Sequence, residues 1–95
     1  MLIPEKIEVA GHTFSVVLKD DPKKPNEMGC IHFNTCVIRI SQNISATQKE
    51  ATLLHEILEA VNSIHRVDLR HKQIEQLEAG LYPALKDNNL WINSR

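Results

Sequence analysis

The spacing of apolar residues changes once along this chain, and that change constrains the fold more than any other feature. Up to residue 40 apolar and polar positions alternate, which is the pattern of strands with one buried face. From Leu53 to Ile64 the apolar residues recur three and four positions apart, which is the pattern of an amphipathic helix. The sequence therefore predicts strands first and helices afterwards, an α+β fold.

The first alternating stretch predicts a β-hairpin around Gly11-His12. Glycine at the first central position of a two-residue turn suits a type II′ turn. That turn pairs Val9 with Phe14 and places the apolar side chains of both strands on one face.

A second hairpin follows a polar, proline-bearing loop at residues 20–28. Its strands are residues 29–33 and 36–40, in a register that pairs Ile31 with Ile38. We therefore expect four short antiparallel strands, arranged as two hairpins with a shared apolar face.

Two antiparallel helices follow the strands. Ser45 is a predicted N-cap with Gln48 as its partner in a capping box, and this helix runs to about residue 65. The second helix covers about residues 70–86, and Pro83 should kink or locally unwind it. The chain is then one domain, made of residues 1–40 (hairpins), 45–65 (first helix), 70–86 (second helix) and 87–95 (tail).

The second helix has an apolar stripe of its own, formed by Ile74, Leu77, Leu81 and Leu85. We expect both helices to pack on the apolar face of the sheet. The only tryptophan, Trp91, lies in the tail, where it either docks on the core or contacts a partner; docking is the favoured interpretation.

Composition narrows the classes of function. The 95 residues are 42% hydrophobic and 24% charged, with a net charge of −1, so the chain lacks the basic surface that binds nucleic acid. No apolar run approaches the ~20 residues of a membrane span, and no signal peptide is visible at the N-terminus. A cytoplasmic location without membrane contact is the expectation, and two cysteines are too few for a disulfide scaffold.

The chemically suggestive motif is H-E-x-x-E at residues 55–59. His55 and Glu59 share one face of a helix because they are four positions apart, so they can hold one metal ion. Glu56 would then lie beside the metal as a general base. The alternative is a solvated helix face on which His55 and Glu59 form an ordinary ion pair.

A catalytic zinc site usually has three protein ligands, so a third ligand is required. In an antiparallel helix pair, geometry favours Glu78, whereas His71 completes the commoner set of imidazoles and carboxylate. On geometry Glu75 and His71 both rank after Glu78, and the two together can also form a plain surface ion pair at i, i+4. Tyr82 is a candidate to hydrogen-bond a bound carbonyl group, or else packs at the edge of the core.

The run from Thr52 to Asn62 and the later run from Leu69 to Asn88 resemble those of small zincin-like phage and prophage proteins. These are similar to metallopeptidases of the ImmA/IrrE type and to minimal gluzincins. The resemblance covers roughly residues 29–88. It implies a zincin-like sheet, an active-site helix and a second helix that carries the third ligand, for which Glu78 matches the gluzincin pattern.

The sequence departs from that family in one ligand, because Glu59 stands where the signature has a second histidine. A site richer in carboxylates is harder and more anionic, so it suits Mn²⁺ or Fe²⁺ as well as Zn²⁺. The added negative charge also weakens the metal as a Lewis acid.

Two functions follow as hypotheses. The first is a metal-dependent peptidase in which Glu56 transfers a proton from water to the leaving amine, with an edge strand holding an extended peptide. The second is a non-catalytic protein that binds or inhibits a host protein through a degenerate zincin scaffold. A helical hairpin without metal or cleft is the plainest alternative. In the first two cases the expected partner is a protein or peptide of the host, and the oligomeric state is left open.

Overall fold

The computed structural model describes residues 3–19 and 27–91. Its elements are strands β1 (Lys6–Val9), β2 (His12–Leu18), β3 (Gly29–His32) and β4 (Val37–Ile40), followed by helices α1 (Ala46–His65) and α2 (His71–Asp87). The expected α+β class and the order of strands before helices are confirmed. Most of the predicted loop at residues 20–28 and the end of the predicted tail lie outside the described residues.

The sheet is mixed, so the expectation of a purely antiparallel sheet was wrong. Its strand order is β1-β2-β4-β3, and β2 pairs with β4 in parallel while the other two pairings are antiparallel. Ile38 and Ile40 of β4 are fully buried, whereas β3 has the sequence Gly-Cys-Ile-His and is only half-buried at most. The more apolar strand therefore takes the central position and β3 becomes an edge.

The first hairpin turns one residue earlier than predicted. Ala10 and Gly11 both have positive φ, of 53° and 82°, as the two central residues of a type I′ turn do. Val9 consequently pairs with His12 instead of Phe14. Because the register moves by two positions, the apolar side chains keep their common face.

The second hairpin has the predicted register, with Ile31 opposite Ile38. Its odd-numbered β4 residues bond to β3, as the hydrogen bond of 2.8 Å from Ser41 N to Met28 O indicates. The same alternation turns the backbone N–H and C=O groups of Gly29 and Ile31 away from β4, toward the edge of the sheet that no described strand covers.

Helix α1 begins and ends as its sequence predicts. The Ser45 hydroxyl accepts a hydrogen bond from Gln48 N, and the Gln48 side chain accepts one from Ser45 N, which completes the capping box. The helix ends at His65, and Arg66 follows in the left-handed conformation with φ of 52°.

The core lies between α1 and one face of the sheet. Its most buried members are Val9, Phe14, Ile38, Ile40, Leu53, Leu54, Ala60 and Trp91. Trp91 packs edge-on against Tyr82, which confirms the docked interpretation of the tail tryptophan. Within the described ranges, no helix is both long and apolar enough to cross a bilayer.

Helix α2 packs on α1 and not on the sheet, so the expectation that both helices cover the sheet was wrong. Its inner face is Ile74, Glu78, Tyr82 and Leu85, while Leu77 and Leu81 of the predicted stripe are exposed. A helix with one neighbour buries a narrow strip, and here polar side chains occupy part of that strip.

Pro83 does not unwind the second helix, because α2 remains helical from His71 to Asp87. A proline at this position removes the N–H group that would bond to Ala79 O. The neighbouring side chain of Tyr82 is anchored on α1, and such tertiary contacts provide most of the stability of a helix in a protein.

Candidate metal centre

The central turns of α1 place the motif residues on two different sides. At 100° per residue, Glu59 lies about 40° from His55 around the helix axis, so both side chains point toward α2. Glu56 points instead toward β3, where the helix approaches the edge of the sheet. The motif therefore divides into a pair that faces α2 and a carboxyl group that faces the sheet.

His55, Glu59 and His71 form a cluster suited to a metal ion. One ligand atom from each side chain lies within 4.8 Å of the other two. His71 is the first residue of α2, and its ring meets the ring of His55 edge-on with the centroids 5.3 Å apart. Two imidazoles and one carboxylate are donors that Zn²⁺, Mn²⁺ and Fe²⁺ all accept.

Glu78 also reaches this cluster, through His55. The Nδ1 atom of His55 lies 2.8 Å from Glu78 Oε1, and both side chains are partly buried. A carboxylate accepts hydrogen bonds only, so the ring donates its Nδ1–H group, and in the neutral imidazole this leaves Nε2 with a free lone pair. Of the two predicted third ligands, His71 joins the donor cluster and Glu78 orients His55.

Glu75 and His71 form the exposed i, i+4 pair that the sequence suggests, with His71 Nε2 3.8 Å from Glu75 Oε1. Both side chains are largely exposed to solvent, so the pair adds little to stability. Each histidine of the cluster consequently has a carboxylate of α2 as its neighbour, close for His55 and looser for His71.

The side chain of Glu56 is only 5% exposed. No hydrogen bond reaches its carboxyl group within residues 3–19 and 27–91. Burial raises the pKa of Glu56 to about 7; neighbouring His55 lowers it, and Glu59 is the first of the carboxylates that raise it further. A carboxyl group with this pKa exchanges protons near neutral pH.

A cleft of about 270 Å³ connects these groups. It is lined by Met28, Gly29, Thr52, His55, Glu56, His71, Glu75 and Glu78. The walls are the start of β3, the middle of α1 and the first two turns of α2. The cleft therefore brings the two histidines of the donor cluster, the buried carboxyl group of Glu56 and the edge of the sheet together in one space, while Glu59 lies outside its lining.

Gly29 allows this close approach of strand and helix. A Cβ atom at this position would lie 2.5 Å from Thr52 Cγ2 and 3.3 Å from Glu56 Oε2. Contacts that short force neighbouring atoms apart. The glycine therefore keeps β3 against α1 on the side where Glu56 is buried.

Tyr82 lies elsewhere on α2 and does not line the cleft. Its hydroxyl group donates a 2.5 Å hydrogen bond to Glu50 Oε1, and Lys86 Nζ lies 3.0 Å from Glu50 Oε2. Burial and the bond to Glu50 raise the pKa of Tyr82 to about 12. This side chain holds α2 to α1, which matches the core-edge alternative for Tyr82.

Three residues that line the cleft went unrecognised in the sequence, namely Met28, Gly29 and Thr52. A glycine at the start of a short strand signals a close backbone approach, but a single chain does not say which helix comes close. Thr52 carries no such signal, because its role is to fill space beside the glycine.

No protein-family model, curated protein or solved structure matches this chain. The function is therefore inferred from the side chains themselves and from their surroundings.

Proposed function

We propose that this protein is a metal-dependent hydrolase that cleaves peptide bonds. The observation that carries the proposal is Glu56, a buried carboxyl group without a hydrogen-bond partner in the described part of the chain, beside a cluster of three metal-ligand side chains. Burying such a group costs free energy, and proteins keep such groups mainly at sites that use them.

In this proposal, different residues hold the metal and orient its ligands. His55, Glu59 and His71 would hold the metal, and Glu78 fixes the ring of His55 with Nε2 free. When bound, the metal supplies Lewis-acid polarisation of a carbonyl group and a water molecule. The donor set fits Zn²⁺, and its carboxylate content fits Mn²⁺ and Fe²⁺ as well.

Glu56 is the general base in this proposal. With a pKa of about 7, its carboxylate accepts a proton from water in the cleft at neutral pH. The hydroxide formed by this transfer adds to the carbonyl carbon of the peptide, and the carboxylic acid then donates its proton to the leaving nitrogen as the carbon–nitrogen bond breaks. The same group thus serves both halves of the reaction and returns to its starting state.

The edge strand β3 favours an extended peptide as the substrate. Gly29 lines the cleft, and its backbone groups and those of Ile31 face the sheet edge that is open among the described residues. An added strand can bond to both residues and pass its next peptide groups toward Glu56. Exposed Met28 at the start of this strand offers an apolar contact for a substrate side chain.

The proposal is tested by separating metal binding from hydrolysis. We expect the purified protein to bind one divalent ion, measured by mass spectrometry of metal content and by competition with a chelating dye. His71→Ala should weaken binding at least 100-fold, since a ligand is lost. Glu56→Gln should retain the metal and lose at least 1,000-fold in kcat/KM on fluorogenic extended peptides.

Glu75→Gln is the matched control, because Glu75 lines the same cleft but lies outside the donor cluster. It should keep both metal and activity within a few-fold. Full activity of Glu56→Gln would refute the role of the general base. Stoichiometric metal without hydrolysis of any peptide tested would favour the non-catalytic binding protein.

A further inference from the structure

Asn62 makes several hydrogen bonds to the connection between the two helices, residues 66–70. Its side-chain Oδ1 accepts a hydrogen bond from Leu69 N at 2.7 Å, and its Nδ2 donates to Leu69 O at 3.1 Å. Its backbone oxygen accepts from the N–H groups of Arg66 and Val67, the latter at 3.1 Å. Four hydrogen bonds thus tie one residue of α1 to three residues of the connection.

The position of Asn62 on α1 aims this connection at the donor cluster. Asn62 lies seven positions after His55, about 20° from it around the helix axis, on the face that also carries Glu59. The two hydrogen bonds from the Asn62 side chain hold Leu69 over this face, and His71 follows two residues later. The segment that brings His71 back to His55 and Glu59 is therefore fixed from the same face of the helix.

The backbone of this connection depends on its hydrogen bonds to Asn62, because part of it has an unfavourable conformation. Arg66 and Asp68 both adopt the left-handed conformation, with φ of 52° and 67°. For residues other than glycine this conformation is unfavourable and persists only where the surroundings hold it. Released from Asn62, the connection has lower-energy conformations that move the start of α2.

We infer that Asn62 is a positioning residue for the metal ligand His71. The inference rests on the proposed metal site and adds a residue whose side-chain hydrogen bonds, within the described residues, go to the connection and not to the cluster. An amide is the side chain required, because it presents one donor and one acceptor to the two backbone groups of Leu69. A carboxylate at the same place can accept from Leu69 N but cannot donate to Leu69 O.

The experiment measures metal affinity and folding stability separately in Asn62→Ala and Asn62→Asp of the full chain. Zn²⁺ dissociation constants are measured by dye competition at a temperature where circular dichroism shows each variant to be folded. We expect Asn62→Ala to weaken Zn²⁺ binding about tenfold or more, as loss of an orienting group does. Asn62→Asp should fall between it and the unmodified chain.

Asn88→Ala is the matched control. Asn88 also bonds a backbone carbonyl through its amide, with Nδ2 2.8 Å from Ala84 O, but it lies at the far end of α2. Its removal should leave the Zn²⁺ dissociation constant within twofold. A second readout is the Co²⁺ absorption spectrum, which reports coordination. The spectrum of Asn62→Ala should move toward that of His71→Ala.

A purely structural role of Asn62 predicts another result, in which the melting temperature falls while the dissociation constant and the Co²⁺ spectrum of the folded variants stay unchanged. That result would overturn the inference and leave the proposed metal site standing. If the unmodified chain binds neither Zn²⁺ nor Co²⁺, the metal site itself fails, and the role of Asn62 fails with it.

Discussion

Helix α1 buries two glutamates, and their surroundings differ. Glu50 is 1% exposed, and both oxygens of its carboxylate are occupied by Tyr82 and Lys86. Glu56 is 5% exposed, lines a cleft, and receives no hydrogen bond within the described residues. Burial alone therefore does not distinguish a carboxylate that joins two helices from one available for chemistry; the hydrogen-bond partners do.

The largest effect is expected at Glu56, and it should depend on pH. The pKa is raised from 4.5 to about 7, so the folded protein holds a proton that the unfolded chain has released between these values. The unfolding free energy thus falls as pH rises through this range, by about 3 kcal/mol in total. In metal-free protein, Glu56→Gln should stabilise by about 3 kcal/mol at pH 8 and by little at pH 4.

Denaturant unfolding with a chelator present, at several pH values, measures this difference. If Glu56→Gln changed the unfolding free energy by the same amount at pH 4 and at pH 8, the proposed difference between Glu56 and Glu50 would be refuted.

The same substitution at Glu50 should have the opposite sign. Glu50→Gln keeps an acceptor for Tyr82 but loses the charge that pairs with Lys86. We expect a destabilisation of about 2 kcal/mol near neutral pH, since a charged hydrogen bond is lost in a buried place. Thermal and denaturant unfolding measure the change, and metal affinity serves as the control because it should not move. A stabilised Glu50→Gln variant would contradict the structural role.

A smaller effect is expected at Gly29, which borders Glu56. Gly29→Ala places a methyl group against Thr52 and should destabilise by about 1–2 kcal/mol while separating β3 from α1. Gly80→Ala is the matched control: nothing lies within 4 Å of a Cβ atom there, and alanine favours a helix by about 1 kcal/mol. If the two substitutions changed the unfolding free energy in the same direction, the packing of β3 against α1 beside Glu56 would be loose.

The sequence predicts α1 well because every signal there is local. The cap formed by Ser45 and Gln48, the apolar spacing and the shared face of His55 and Glu59 all follow from helix geometry. The roles of His71 and Glu78 depend on how α2 meets α1, and position counting along two helices left both open as ligands. In the structure His71 lies in the donor cluster, and Glu78 lies 2.8 Å from Nδ1 of His55.

The sheet was harder to predict, because the partner of each strand depends on competition among non-local pairings. Alternation places Ile38 and Ile40 on the buried face, but it does not say that β4 displaces β3 from the side of β2. The contact of Tyr82 with Glu50 was hard to predict for a similar reason, because the two residues are far apart in the sequence. Nothing near Glu50 in sequence indicates that its partners come from α2.

The donor cluster lies entirely within one helical hairpin, between His55 and His71. Closing a short chain segment costs little conformational entropy, and contacts of low sequence separation form early in folding. The three side chains of the cluster therefore come together when the helical hairpin closes, without any residue from the sheet. A metal ion held at the proposed site would then tie the two helices to each other directly and raise the free energy of unfolding of the hairpin.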